Sequence, residues 1–188
     1  MDSKTAWKRY YENDYLTIKE KFRERFQEYL IDNQSMLNNI HCDCLKRLAK
    51  DIGTRVNDIN TIEFSVLKSM LIKNKEPHFL VEALSDKKDI LYQESLTNID
   101  LMEFLKSLNY KMHNEAKKYI LKVPLVLIEQ EFMLELNEYL AQIQIIIQQS
   151  INNFLVSEHA ENLLKVDFII SVGDYRQEQE ILYKHEAY

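Results

Sequence analysis

Glycine and proline are the scarce residues of this chain. It has two of each in 188 positions, where average usage of about 7% and 5% would give roughly thirteen and nine. Glycine supplies the positive φ angles of tight turns and proline punctuates loops, so their scarcity argues against many short elements and for long helices. The same shortage excludes several chemistries. A P-loop, a dinucleotide fingerprint and a nucleophile elbow each need glycines a few residues apart, whereas Gly53 and Gly173 stand in different thirds of the chain.

Cysteine is equally sparse. Cys42 and Cys44 are the only two, too few for a disulfide framework and wrongly spaced for a C-x-x-C redox pair. No apolar run approaches the roughly 18–20 residues that span a bilayer. The start "MDSKTAWKRYY" lacks the apolar core of a secretory signal. Asp2 excludes N-myristoylation, and the ending "KHEAY" has no prenylation cysteine. A reduced, cytoplasmic protein is expected. Neither H-E-x-x-H nor the E-x-x-H step of di-iron bundles occurs.

Positive charge is short in one region. The net charge is −6, but residues 1–124 hold 21 Lys/Arg against 19 Asp/Glu (+2) and residues 125–188 hold 3 against 11 (−8). Nucleic-acid surfaces need clustered Lys and Arg. The best local candidate, Lys106–Lys122 with Tyr110 and Tyr119, is offset by the acidic last third. No nucleic-acid or membrane partner is expected; a basic protein partner is.

What is present is helical periodicity. At ~100° per residue, Trp7, Tyr11, Tyr15, Ile18, Phe22, Phe26 and Tyr29 fall in one stripe, with Glu20, Glu24 and Glu28 opposite. A second helix is predicted from near Ser35 to about Ile52, ended by Gly53 in a left-handed C-cap. The Asn60/Glu63 capping-box spacing predicts a third helix ending around Asn74. Residues 78–94 read as a hairpin turning at Ser85–Lys88. Asn98 or Thr97 caps the next helix, and Pro124 opens another, Leu125 to about Asn153, expected to be the longest. Its stripe is Ile128, Phe132, Leu136, Tyr139, Ile143 and Ile147. Leu134 and Ile145 add apolar surface on another side, which predicts enclosure by neighbours. A short helix near Glu158–Lys165 follows. Val166, Phe168, Ile170 and Val172 then alternate as a strand, and Gly173–Asp174 could form a II′ turn. That register sets Ile170 against Gln177 and Phe168 against Gln179, so two strands are expected here without direct pairing.

The fold expected is therefore α+β and predominantly helical: five or six helices around a long central helix, with a small antiparallel sheet from about 78–94 and 166–185, in one domain over residues 1–188. An all-α bundle is the alternative.

Two stretches resemble chemistry. "HCDC" places His41, Cys42, Asp43 and Cys44 together. On a helix Cys42 and Cys44 lie ~200° apart, leaving His41 and Cys44 as at most two ligands where structural zinc takes four. No metal and no cofactor are expected, only buried or half-buried thiols beside a surface histidine. The carboxylates Glu129, Glu131, Glu135 and Glu138 spread around their helix with no histidine among them, as solvated or ion-paired groups do. The C-terminal segment gathers Asp167, Asp174, Arg176, Glu178, Glu180 and His185. Carboxylates and a histidine suit cation binding or acid–base work if they converge, and the polar face of an edge hairpin if they do not.

No catalytic residues are assigned. The expected function is a non-enzymatic intracellular protein-binding module, regulatory or immunity-like, using the acidic C-terminal surface with those six residues as its binding candidates. Reversing Glu178 and Glu180 to Lys should weaken capture of its partner. A small, divalent-cation-dependent enzyme using the C-terminal carboxylate/His site, and a homo-oligomeric structural protein, are the alternatives.

Overall fold

With no glycine or proline before Gly53, nothing in the first 52 residues interrupts a helix. The computed structural model describes residues 2–66, 79–119, 122–175 and 179–187, the side chains of Ile99 and Met102 excepted. In it, helix α1 (Ser3–Tyr10) starts at Asp2, whose carboxylate accepts the Thr5 N–H at 2.8 Å. One π turn, Tyr11–Tyr15, leads directly into α2 (Leu16–Ile52). The boundary expected near Ser35 does not exist. Asn33, a residue that favours turns, instead donates its side-chain amide to the Tyr29 carbonyl at 2.9 Å within the helix.

The π turn also corrects the aromatic stripe. Its wider turn puts Tyr10 and Tyr15, five apart, on the buried side, while Trp7 and Tyr11 are only half-buried. From Tyr15 onward Ile18, Phe22 and Phe26 are buried at helical spacing.

Helix α3 (Ile99–Lys117) is capped by Asn98, which accepts the Leu101 N–H at 2.8 Å. Helix α4 (Leu125–Leu155) follows Pro124 and has 31 residues, so α2 with 37 is the longer. Among the described residues these make three long helical stretches rather than five or six. Gly53 has φ +47° and opens a 3-10 stretch, Gly53–Asp58; the expected short helix near 158–165 is two 3-10 turns, Glu158–Ala160 and Leu163–Lys165. No helix among the described residues is long and apolar enough to cross a membrane.

The contacts divide the chain into two compact units: Met1–Asn33 with Asn98–Ile143, and Gln34–Thr97 with Gln144–Tyr188. The first is all helical. Tyr15, Phe22 and Phe26, Leu101, Leu105, Leu108 and Met112 of α3, and Ile128, Phe132, Leu136, Tyr139 and Ile143 of α4 are all buried in this unit. Phe26 lies 4.5 Å from Tyr139 and 5.3 Å from Phe104, ring centre to ring centre. Each such buried side chain contributes about 1.5–3 kcal/mol relative to exposure. The predicted α4 stripe is buried throughout, but enclosure on a second side is not found: Leu134 and Ile145 are more than half exposed.

The second unit holds a five-stranded mixed sheet in the order β3-β2-β1-β4-β5, which rules out the all-α alternative. Strand β1 (Thr61–Val66) occupies the centre where a helix was predicted from Asn60 to Asn74; residues 67–74 lie outside those described. The capping-box spacing at its start loses to a run, TIEFSV, that pairs on both sides, antiparallel with β2 and parallel with β4. Strands β2 (Phe79–Leu84) and β3 (Ile90–Leu96) form the expected hairpin, turning at Ser85–Asp89 with Lys88 at φ 65°; His78 lies outside the described residues.

Strands β4 (Phe168–Asp174) and β5 (Gln179–His185) do pair directly. Gly173 and Asp174 remain inside β4 rather than turning, and a shift between Ile170 and Ser171 brings Ile170 opposite Tyr183 and Phe168 opposite His185. The poor apolar match thus disappears. One sheet face carries Ile62, Phe64, Val81, Ala83, Phe168, Ile170 and Val172, all buried, with the His41 ring of α2 6.3 Å from Phe64. The other face carries Glu63, Ser65, Glu82 and Ser171.

Candidate functional site

"HCDC" is helical, as its neighbours are. Cys44 is fully buried and Cys42 half-buried. His41 is not at the surface, however: it is 4% exposed, edge-on to Phe64 and 3.5 Å from the Ser150 hydroxyl, which donates to the Ile146 carbonyl. Burial pushes its pKa down to about 4, so the imidazole is neutral and packs as core. Burial likewise raises the Cys44 thiol, with nearby Glu94 adding to it, which makes it a poor nucleophile. Glu94, on β3, receives two hydrogen bonds from Arg47, at 2.6 and 3.2 Å, and one from Tyr92. Burial works against its charge, but the Arg47 and Tyr92 bonds outweigh that and hold the carboxyl below its usual range. Among the described residues no three His, Cys, Asp or Glu side chains are placed to share a metal ion.

The C-terminal cluster separates along its strands. Asp167 and His185 share a cleft of about 370 Å³ at one end of the β4–β5 pair, lined also by Asn60, Phe168, Ile169, Lys184, Glu186 and Ala187. There the Asp167 carboxylate accepts the Ala187 N–H at 2.7 Å, Lys184 pairs with Glu186 at 2.6 Å, and His185 Nε2 is 2.9 Å from the Leu164 carbonyl. Both candidate side chains are engaged in holding the end of the chain to the sheet. Asp174 ends β4 seven residues from Asp167, about 23 Å away along the strand. Glu180 is exposed opposite Val172. Arg176 and Glu178 lie outside the described residues.

The helical unit contains a polar cluster that periodicity did not disclose. Glu135 of α4 has no exposed surface. Its oxygens meet Lys19 at 2.5 Å, Arg23 at 3.1 Å and the Tyr15 hydroxyl at 3.1 Å, while Arg23 also reaches Glu138. Burial, and then the charge of Glu135, raises the Tyr15 phenol far above its ordinary range. Ion pairing was expected of these glutamates; burial of one was not. The signal available was Lys19 and Arg23 four apart on the first helix, one turn from Tyr15.

Beside it, one side of α4 is exposed over its first turns. Val126, Glu129, Gln130, Met133 and Leu134 stand at i, i+3, i+4, i+7 and i+8, one side of a helix. Together with Glu131 they line an open, shallow apolar cleft of about 480 Å³. Leu125 is 63% exposed, Val126 57% and Leu134 56%. Helix α4 has four glutamates and no lysine or arginine. No family model matches the chain, and neither a curated protein nor a solved structure matches it.

Proposed function

We propose that the protein is a binding module for another protein, and that its acidic C-terminal third receives a basic, amphipathic helix on the Val126–Leu134 face of α4. The observation that carries this is the cleft lined by exposed Val126 and Leu134 with Met133 between them, on a helix whose charges are all negative. Isolated exposed apolar residues need no explanation, but Val126, Met133 and Leu134 line one cleft together. Glu135 and Glu138 are neutralised by Lys19 and Arg23. Glu131 is engaged by the Tyr15 hydroxyl, and Glu129 is left to select a partner of positive charge. The face is about 12 Å long at 1.5 Å per residue, which fits about two turns of a partner helix.

The enzymatic alternative requires Asp167, Asp174, Glu178 and His185 on one site, and Glu178 lies outside the described residues. The positions of Asp167 and Asp174 at opposite ends of β4 and the internal hydrogen bonds of Asp167 and His185 favour the binding reading.

A synthetic helical peptide with leucines at i, i+3 and i+7 and lysines between them tests the proposal by fluorescence anisotropy. The basic peptide should bind wild type, and V126D/L134D should weaken it at least tenfold. Equal binding of an otherwise identical glutamate-bearing peptide, or equal binding to the double variant, would contradict the proposal.

A further inference from the structure

Helix α4 stops being acidic halfway along. From Tyr139 to Ser157 there is no Asp, Glu, Lys or Arg, although 29% of the chain is charged and nineteen residues at that share would hold about five. Helix α2 is likewise uncharged from Gln34 to Cys42. In the second unit these two stretches lie side by side, the Gln34 amide donating to the Gln149 side-chain oxygen at 2.9 Å. Burial would explain the missing charge, but only for one side of α4. Ile146, Ile147, Ser150, Ile151 and Phe154 are buried. On the opposite side Ile145, Gln149, Asn152 and Val156 form an exposed ridge, Ile145 at 60% and Val156 at 88%. An exposed surface depleted of charge is the composition found at the middle of protein–protein interfaces.

The order of the ridge says what covers it. Its residues follow one another in steps of four, three and four, so the pattern is the same read in either direction. These are also the steps of a coiled-coil seam. A twofold axis between Ser150 and Ile151 sets Ile145 against the partner's Val156 and Gln149 against the partner's Asn152, each pairing occurring twice. Apolar side chains then meet apolar ones, and amides meet amides. The Gln149 oxygen is taken by Gln34, which leaves its NH₂ to donate, and the Asn152 oxygen, which accepts Gln148 Nε2 at 3.3 Å, keeps a second lone pair to receive it. Two chains of net charge −6 repel each other at long range, and along this ridge no like charges are brought together.

We propose that two copies of the chain associate through this ridge, α4 packing antiparallel on α4. The central amides set the register, as polar residues in a helical seam do, and Ile145 with Val156 supplies apolar contact at both ends. A ridge about 17 Å long on a helix about 10 Å across is small beside the roughly 800 Å² per partner of a standard interface, so the dimer is weak and reversible. The ridge is separate from the Val126–Leu134 docking face, so either can fail alone.

Sedimentation equilibrium of the full chain, from about 10 μM to about 1 mM, tests it. Wild type should pass reversibly from monomer to dimer as its concentration rises. Q149K and N152E change exposed positions, so both should melt close to wild type, and each should weaken self-association at least tenfold by bringing like charges together across the axis. An equimolar mixture of the two variants should associate more tightly than either alone, because the introduced lysine of one copy then faces the introduced glutamate of the other. V126D/L134D should leave the dimer intact. A monomer at every concentration, a dimer that neither single variant weakens, a mixture no tighter than its parts, or loss of the dimer in V126D/L134D would overturn the proposal.

Discussion

The two units treat buried polarity in opposite ways. In the helical unit the buried carboxylate of Glu135 is enclosed by Lys19, Arg23 and Tyr15. There the Tyr139 hydroxyl is the one buried side-chain polar atom without a partner among the described residues; the sheet unit has four, on Asn38, Ser65, Ser171 and Gln179. A satisfied network fixes packing, whereas a partnerless buried oxygen has lost its water without gaining a bond.

Breaking the closed cluster should have the largest effect. Glu135→Ala leaves Lys19 and Tyr15 facing each other without their anion, and urea unfolding should show a loss of about 3 kcal/mol. A loss under about 1 kcal/mol would mean that the cluster contributes little to holding the helical unit.

His41 sharpens the comparison from the sheet unit. Its folded pKa is depressed to about 4 from an ordinary 6.5. Above pH 6.5 the imidazole is neutral in both folded and unfolded chains and contributes no pH dependence. As pH falls from 6.5 toward 4 the unfolded chain takes up a proton that the folded one refuses. Stability should therefore fall, by at most about 3 kcal/mol, at 1.36 kcal/mol per pKa unit. Thermal melts across this range should lose that component in His41→Phe.

Arg47→Ala removes the partly exposed bridge to Glu94. It should cost about 1 kcal/mol in the same unfolding assay, since solvent screens the pair. Glu180→Lys, on an exposed strand position, should shift unfolding by less than about 0.5 kcal/mol.

Much of this fold was legible. Asn98 was readable as a cap because its side chain competes for helix N–H groups, and the hairpin at Ser85–Asp89 because a polar turn separates two apolar runs. What failed was decided at a distance. Whether TIEFSV is helix or strand depends on β2 and β4, and β4 lies a hundred residues away in the chain. The π turn at Tyr11–Tyr15 leaves no composition mark, so the stripe was read one residue out of phase. Burial of Glu135 depends on cations from another helix. For the site, the acidic last third was visible as charge, but the face of α4 left without a neighbour was not. Strand alternation sends Asp167 and Asp174, an odd number of residues apart, to opposite faces, while the partnerless oxygens of Ser65, Ser171 and Gln179 come from three strands whose registers no local pattern encodes.

The docking face is tested most directly by NMR titration of the isotope-labelled chain with the basic amphipathic peptide. Shift changes should concentrate at Leu125, Val126, Glu129, Met133 and Leu134 and vanish in V126D/L134D. Changes centred on Asp167–His185 instead, or none at saturating peptide, would contradict the account.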